Sequence, residues 1–480
     1  MSKRPLGFWV LTALVVGNMV GSGIFMLPRD LAKAASPEGV LFAWLFTGIG
    51  VWFLALVFGR LAINQPEYTG GPQAYAQGLF IKGSTASYLS GYLVSWGYWV
   101  ANIGGIVAIL TSFAGYLSTF LPVLNSGVLL IQGFGFRLTV GRLLTFIICS
   151  MLLWGLHYLI SKGVEGAGNI NLVATIAKVA GFLLFIIATL FVFQKSNLLP
   201  FFVEKADPTT GEKVGLFGQI NHAAISTLWA FIGIESAVVF SSRAKRMRDV
   251  KRATFAGLVM STLLYVGISL LVMGVLKPAA LTNSTKPLVD ALTVAIGAQG
   301  GQLLAFLALI CLFGSAIGWI LLSAEVPYQS AKKGMFMKGF MQENKNGSPS
   351  KSLTITNLAC QVLLFSTLSN SIGEAFTFVI TIATLSYLLP YIVASMYQIK
   401  WTLTAIGLSG RGRWSNGVIG GLATLYSLYV IVAGTENLST FLWGVFFIVV
   451  GIIFFPLVLK NRKPLKEVLW TGVKSGKQNI

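Results

Sequence analysis

Charge is what this sequence has least of. Among 480 residues only 10% are charged and 55% are hydrophobic, and the mean hydropathy is +0.77. That lies far outside the range of soluble globular domains. Acids are the scarcer sign, 15 Asp and Glu against 35 Lys and Arg, for a net charge of +20. Histidine occurs only as His157 and His222, near the ends of separate apolar segments, which excludes a zincin-like helical pair. The three cysteines, Cys149, Cys311 and Cys360, fall in apolar segments far apart, without CxxC or Cys/His spacing. They read as packing residues, so neither a disulfide framework nor a metal or cofactor site is expected. Long polar connections are missing too. The longest, "KSNLLPFFVEKADPTTGEKVG" at 195–215 and "KKGMFMKGFMQENKNGSPSK" at 332–351, are too short to fold alone, which excludes a separate soluble catalytic domain.

What is present is a succession of apolar runs, each long enough to cross a bilayer as a helix that satisfies its own backbone hydrogen bonds. Twelve spans are predicted near 7–34, 40–62, 85–119, 140–160, 166–194, 219–242, 252–276, 300–331, 353–368, 373–398, 416–434 and 438–459. The fold expected is therefore an all-α integral membrane protein. The first run follows Met1-Ser2-Lys3-Arg4-Pro5 with no A-x-A-like cleavage site, and reads as a span rather than a signal peptide. With twelve spans, connections on the side of the termini hold 25 Lys and Arg and those on the opposite side hold 9. The positive-inside rule then places both termini in the cytoplasm of a multi-pass cell-membrane protein. The densest basic run, "SSRAKRMRDVKRATF" at 241–255, reads as a topology anchor on anionic lipid headgroups, and no nucleic-acid partner is expected.

Two spans are interrupted. "GNMVGSGIFMLP" at 17–28 gathers Gly17, Gly21, Ser22 and Gly23 where a membrane helix should be most regular. "STLWAFIGIESAVVF" at 226–240 places Gly233 among bulky residues, followed by a carboxylate, Glu235, at span depth. Unpaired backbone groups at that depth are tolerated only beside protein or a water-filled cavity. A half-helix ending near Met19 offers carbonyls to a cation, and one beginning near Ile24 offers N–H groups to an anion. If spans 1–5 and 6–10 are two similar units, each opens on a broken helix, the pattern of an inverted-repeat transporter with a midplane site. Carbonyls beside N–H groups suit a zwitterion such as an α-amino acid.

With "GNMVGSGIF", "LWAFIGIES" and "GWILLSAEVPYQSAKKGMF" in this order, the chain resembles the amino acid–polyamine–organocation transporters across essentially all its spans. Within that superfamily it is most similar to the basic amino acid/polyamine antiporter group. The resemblance implies a 5+5 inverted-repeat core with discontinuous helices 1 and 6, one unit over 1–200 and the second over 201–400. Residues 401–480 would hold spans 11 and 12 and a cytoplasmic tail, where a homodimer contact could form. It further implies that Ser22, Gly23 and Ile24 hold the substrate carboxylate, and that carbonyls of Met19, Trp229 and Ile232 receive the α-ammonium. Asn102 would contact the substrate side chain and Trp319 pack along its aliphatic part. Glu235 matches the family glutamate tied to gating and pH response, and Tyr391 a tyrosine that helps close the cytoplasmic side.

Lys178 is the other charge inside a span, and it resembles the lysine of proton-coupled members. It is read either as a group that gains and loses a proton or as a fixed strut on the freed carbonyls of span 1. Tyr98 stands where the antiporters carry a small residue, and Val94 where they carry a gating tyrosine; Tyr98 is expected to shorten the pocket. The function expected is secondary active transport of a cationic amino acid such as arginine, lysine or ornithine, by antiport or proton symport, and the chain is not expected to be an enzyme. A proton-coupled permease for neutral or broad-range amino acids is the alternative. An ion channel would need filter-like rings of carbonyls or charges.

Overall fold

The structure, a computed structural model, describes residues 6–460 apart from 67, 69–70, 82, 134–135, 163–164, 208–210, 240, 242–243, 346–347, 370 and 436–437, and leaves undescribed the side chains of 136, 165–173 and 175–176. Lys3, Arg4, Lys82, Arg243 and the basic tail beyond Lys460, which enter the charge asymmetry, lie outside the described residues.

The chain is built of helices in the order α1 (Phe8–Met19), α2 (Gly23–Ala34), α3 (Pro37–Asn64), α4 (Pro72–Gly78), α5 (Thr85–Leu117), α6 (Val140–Lys162), α7 (Glu165–Phe191), α8 (Leu216–Phe231), α9 (Ser236–Val239), α10 (Met247–Val275), α11 (Pro278–Asn283), α12 (Pro287–Lys332), α13 (Ser350–Leu364), α14 (Ser366–Ser369), α15 (Ile372–Thr404), α16 (Gly410–Gly434) and α17 (Leu438–Leu459). Two small antiparallel hairpins, β1 (Leu129–Gly133) with β2 (Phe136–Thr139) and β3 (Lys205–Ala206) with β4 (Lys213–Val214), lie in connections. Among the described residues ten helices are long and apolar enough to cross a membrane, and eleven spans result when the bent pair α1 and α2 is taken as one.

Local chemistry accounts for where these helices begin. Ser36, Ser84, Ser371 and Ser409 stand just before α3, α5, α15 and α16, and each side chain accepts from a backbone N–H of the first turn. At α15 this becomes a full capping box, Ser371 with Glu374. Proline opens α3, α4, α11 and α12, where its missing N–H costs nothing.

Burial then sorts the helices into core and periphery. The most apolar windows of α5 and of α8 with α9 are 89% and 83% buried, against 28% for α6 and 22% for α17. The first two are thus enclosed by protein, while the last two turn most of their apolar surface outward, as lipid-facing helices do. Around the centre, α5 packs on α15 and α12, α7 on α12, α10 on α3 and α1, and α8 on α3 and α2. Helices α16 and α17 lean on α15 from outside. Small residues permit the closest approaches: a Cβ at Gly104 would sit 3.0 Å from the Val379 carbonyl oxygen, and one at Gly50 would overlap the buried Tyr426 ring.

Helices lie at the twelve predicted positions, of which ten or eleven qualify as spans among the described residues, and there are additions. The span expected at 300–331 begins at Pro287, and Ile296 and Gly297 depart from helical geometry (φ −134° and +83°) within it. Asp290 and the glycines at 297, 300 and 301 hid that first stretch from a hydropathy window. Helices α4 and α11, of seven and six residues, and both hairpins are too short to carry a periodic signal.

Gly50 supplies a direct test of this packing. Gly50→Ala forces the Tyr426 ring aside, an overpacking cost of about 1–3 kcal/mol. The thermal midpoint of the purified protein should fall by several degrees, read with a thiol-reactive dye on the three buried free cysteines. An unchanged midpoint contradicts the tight α3–α16 contact.

Candidate functional site

The two interruptions meet. Helix α1 ends at Met19, α2 starts at Gly23, and the pair is bent by 46°. Between α8 and α9 the chain leaves helical geometry at Ile232 (ψ 134°) and turns through Gly233 at φ +106°, a conformation that favours glycine. A Cβ at Gly233 would lie 3.0 Å from Asn18 Cβ and 3.1 Å from the Met19 nitrogen, so one break is seated on the other. Asn18 Nδ2 donates to Ser236 Oγ across this contact at 2.7 Å.

Breaking α1 frees carbonyls, and these are answered. Lys178 Nζ on α7 donates to the carbonyls of Gly17 (3.2 Å) and Val20 (2.6 Å). The Tyr265 hydroxyl on α10 lies 2.5 Å from the Met19 carbonyl and 2.8 Å from that of Ala230, tying both interrupted helices to one side chain. Tyr265 is itself held by stacking on Trp44, with centroids 5.3 Å apart. The Met19 carbonyl also accepts from Gly21 N, and the Trp229 carbonyl from Ile232 N.

Other groups at the breaks have no such partner. The N–H groups of Ser22, Gly23 and Ile24 donate no hydrogen bond among the described residues, as the first turn of a helix requires. The carbonyl of Ile232 likewise accepts none among the described residues. Of the three carbonyls expected to take an ammonium, then, Ile232 keeps its full capacity while Met19 and Trp229 are already engaged. Two tryptophans frame this opening: a Cβ on Gly23 would lie 3.4 Å from the Trp229 indole and one on Gly21 3.9 Å from Trp319 Nε1, and their ring centroids are 6.1 Å apart. Gly105 on α5 makes room for Trp319, whose six-membered ring lies against it.

A second cluster sits where α5 and α15 pass the break at Gly233. Glu235 is buried and receives three hydrogen bonds, from the Tyr98 hydroxyl (2.9 Å), the Tyr391 hydroxyl (2.7 Å) and the Gly233 N–H (3.2 Å). Asn102, one turn along α5 from Tyr98, donates through Nδ2 to the Tyr98 carbonyl and accepts at Oδ1 from the Tyr387 hydroxyl, both at 2.8 Å. The hydroxyl of Tyr98 is thus committed to Glu235. At the other end of α2, the Arg29–Asp30 ion pair is buried, Thr377 donates to Asp30, and Lys205 Nζ caps the Ala32 carbonyl at 3.0 Å.

The residues singled out in the sequence therefore fall into two adjoining groups. Met19, Ser22, Gly23, Ile24, Trp229, Ile232 and Trp319 surround the touching breaks with Lys178 behind them, while Tyr98, Asn102, Glu235 and Tyr391 form the network beside them. Tyr265 and Tyr387 are additions. Tyr387 was legible as the residue one turn before Tyr391, matching Tyr98 one turn before Asn102; Tyr265 carried no signal beyond a hydroxyl in an apolar span, which needs a partner.

Glu235 should bear much of the network's stability. Glu235→Ala strands two tyrosine hydroxyls and an N–H, at about 1–3 kcal/mol for each buried donor left unmade, whereas Glu235→Gln keeps an acceptor and an amide that the Tyr98 oxygen can answer. The alanine variant should melt well below the glutamine variant in the same thiol-dye assay. Equal midpoints contradict the network.

The amino acid permease family profile matches residues 6–455. A candidate arginine/ornithine antiporter of Bacillus subtilis is 49% identical over 470 residues, covering 97% of this chain and 99% of that protein. An arginine/ornithine antiporter of Pseudomonas aeruginosa is 33% identical, covering 98% and 94%. Another, from Lactococcus lactis, is 30% identical, covering 90% and 80%. With the helical architecture, the two touching breaks and the family match along nearly the whole chain, this is a multi-pass membrane protein that belongs to the amino acid permease family.

Proposed function

We propose that this chain is an antiporter exchanging arginine for ornithine across the cell membrane by alternating access, with both termini in the cytoplasm. The observation that carries the reading is the contact between the two breaks. It joins the break whose Ser22, Gly23 and Ile24 N–H groups have no partner among the described residues to the break whose Ile232 carbonyl has none, donors for a carboxylate and an acceptor for an ammonium. The names of the relatives at 49%, 33% and 30% identity supply the substrate class. In this reading Asn102 and Trp319 meet the substrate side chain, and Glu235 with Tyr98 and Tyr391 closes the cytoplasmic side by joining α5, the interrupted span and α15.

The packing supports twelve spans with a 5+5 repeat, in which α7 is the fifth span. Exchanging the first five spans for the second five turns the α5–α15 contact into α12–α7, and α1–α10 into α8–α3, and all four are present. Under the same exchange α5–α12 and α3–α10 map onto themselves, and both occur. In this architecture Lys178 serves as a strut, since its ammonium answers two carbonyls that α1 can no longer satisfy.

Antiport follows from the same unpaired groups. An empty cradle holds buried donors and an acceptor without partners, and closing it away from water costs about 1–3 kcal/mol for each group left unmade. A bound amino acid removes that cost, so the loaded carrier crosses and the empty one does not. In proteoliposomes, labelled arginine should enter only when arginine or ornithine is trapped inside. Equal uptake by empty vesicles, or by vesicles holding only leucine, overturns obligatory exchange of basic amino acids.

A further inference from the structure

Tyr387 sits on α15, fully enclosed at 1% exposure, with its ring edge-on to Tyr98 at a centroid distance of 5.1 Å. Its hydroxyl is the end of a short hydrogen-bonded chain whose direction is set from the other end. The backbone carbonyl of Tyr98 has no proton to give, so the Asn102 amide 2.8 Å away turns its NH2 toward it. Asn102 Oδ1, again an acceptor only, then faces Tyr387 at 2.8 Å. The single proton of the Tyr387 hydroxyl is therefore committed to Oδ1. The Tyr98 hydroxyl, which also interacts with it, has its one proton on Glu235, so lone-pair capacity remains on the phenolic oxygen without a committed donor among the described residues.

We propose that Tyr387 is a specificity-determining residue: its oxygen, beside Asn102 Oδ1, accepts a hydrogen bond from the cationic end of the substrate side chain. This rests on the arginine/ornithine reading above and deepens it. A guanidinium or ammonium carries only donors and answers both acceptors at once. An apolar terminus leaves them unmatched, and a carboxylate sets acceptor against acceptor. The neighbouring carboxylate of Glu235, linked to the same two helices through Tyr98 and Tyr391, favours positive charge at this end of the site. A ring without the hydroxyl keeps the packing on Tyr98 and removes the acceptor together with the hydrogen bond to Asn102 Oδ1.

The test is counterflow in proteoliposomes with the full chain, comparing wild type and Tyr387→Phe. The half-saturating concentration of arginine should rise about tenfold, the worth of one hydrogen bond to a charged group. Inhibition by norleucine, which has the length of a basic side chain without its cation, should change less than twofold. An unchanged arginine value, or equal shifts for arginine and norleucine, overturns the assignment. Should the variant not fold, 3-fluorotyrosine placed at position 387 of otherwise wild-type protein gives the same answer by fluorine NMR: arginine shifts its resonance and norleucine does not, and no shift at saturating arginine overturns the assignment. Wild-type protein that exchanges no basic amino acid sinks the transport reading itself, whereas normal wild-type exchange with an unaltered variant sinks only the role of Tyr387.

Discussion

A helix interrupted inside an apolar interior releases backbone N–H and carbonyl groups that have no water to turn to, and each must find a partner or cost free energy. Much of this molecule is arranged around that requirement. Lys178 on α7 answers the carbonyls at Gly17 and Val20, and Tyr265 on α10 brings its one hydroxyl proton to the pair at Met19 and Ala230. Asn18 and Ser236 bond across the seam. At the breaks the accounting is incomplete: the N–H groups at Ser22 to Ile24 and the Ile232 carbonyl have no partner among the described residues.

The same logic extends to the side-chain end. Helices α5 and α15 are joined by two rungs one turn apart, Asn102 with Tyr387, and Tyr98 with Tyr391 through Glu235. Because Glu235 follows directly on the break at Gly233, it links those rungs to the interrupted span. The break and the α5–α15 pair are thus held in one network. Buried polar networks of this kind are stable only when every member is satisfied, which makes them suited to two discrete arrangements rather than gradual deformation.

Most of the helical layout was legible because hydropathy at this density has few alternative explanations, and the breaks were legible because Gly-Ser clusters and a carboxylate contradict their apolar surroundings. Span ends fell within six residues of the observed helix ends except at Pro287–Ile296, where Asp290 and scattered glycines dilute the apolar signal. The candidate site was legible as a list of positions and much less as a network. The resemblance at Tyr98 pointed to a shortened pocket; only the fold brings its hydroxyl to Glu235, 137 positions away. Tyr265 bonds to a carbonyl 246 positions away, and no local pattern announces such a partner. Engagement of the Met19 and Trp229 carbonyls is likewise a matter of geometry, since any residue type presents the same backbone oxygen.

Hydrogen–deuterium exchange resolved to single amides, with and without saturating arginine, tests most directly whether the leftover backbone groups are the substrate cradle. The account predicts that arginine slows exchange at the amides of Ser22, Gly23 and Ile24. Protection elsewhere in the protein with those amides unchanged would contradict it.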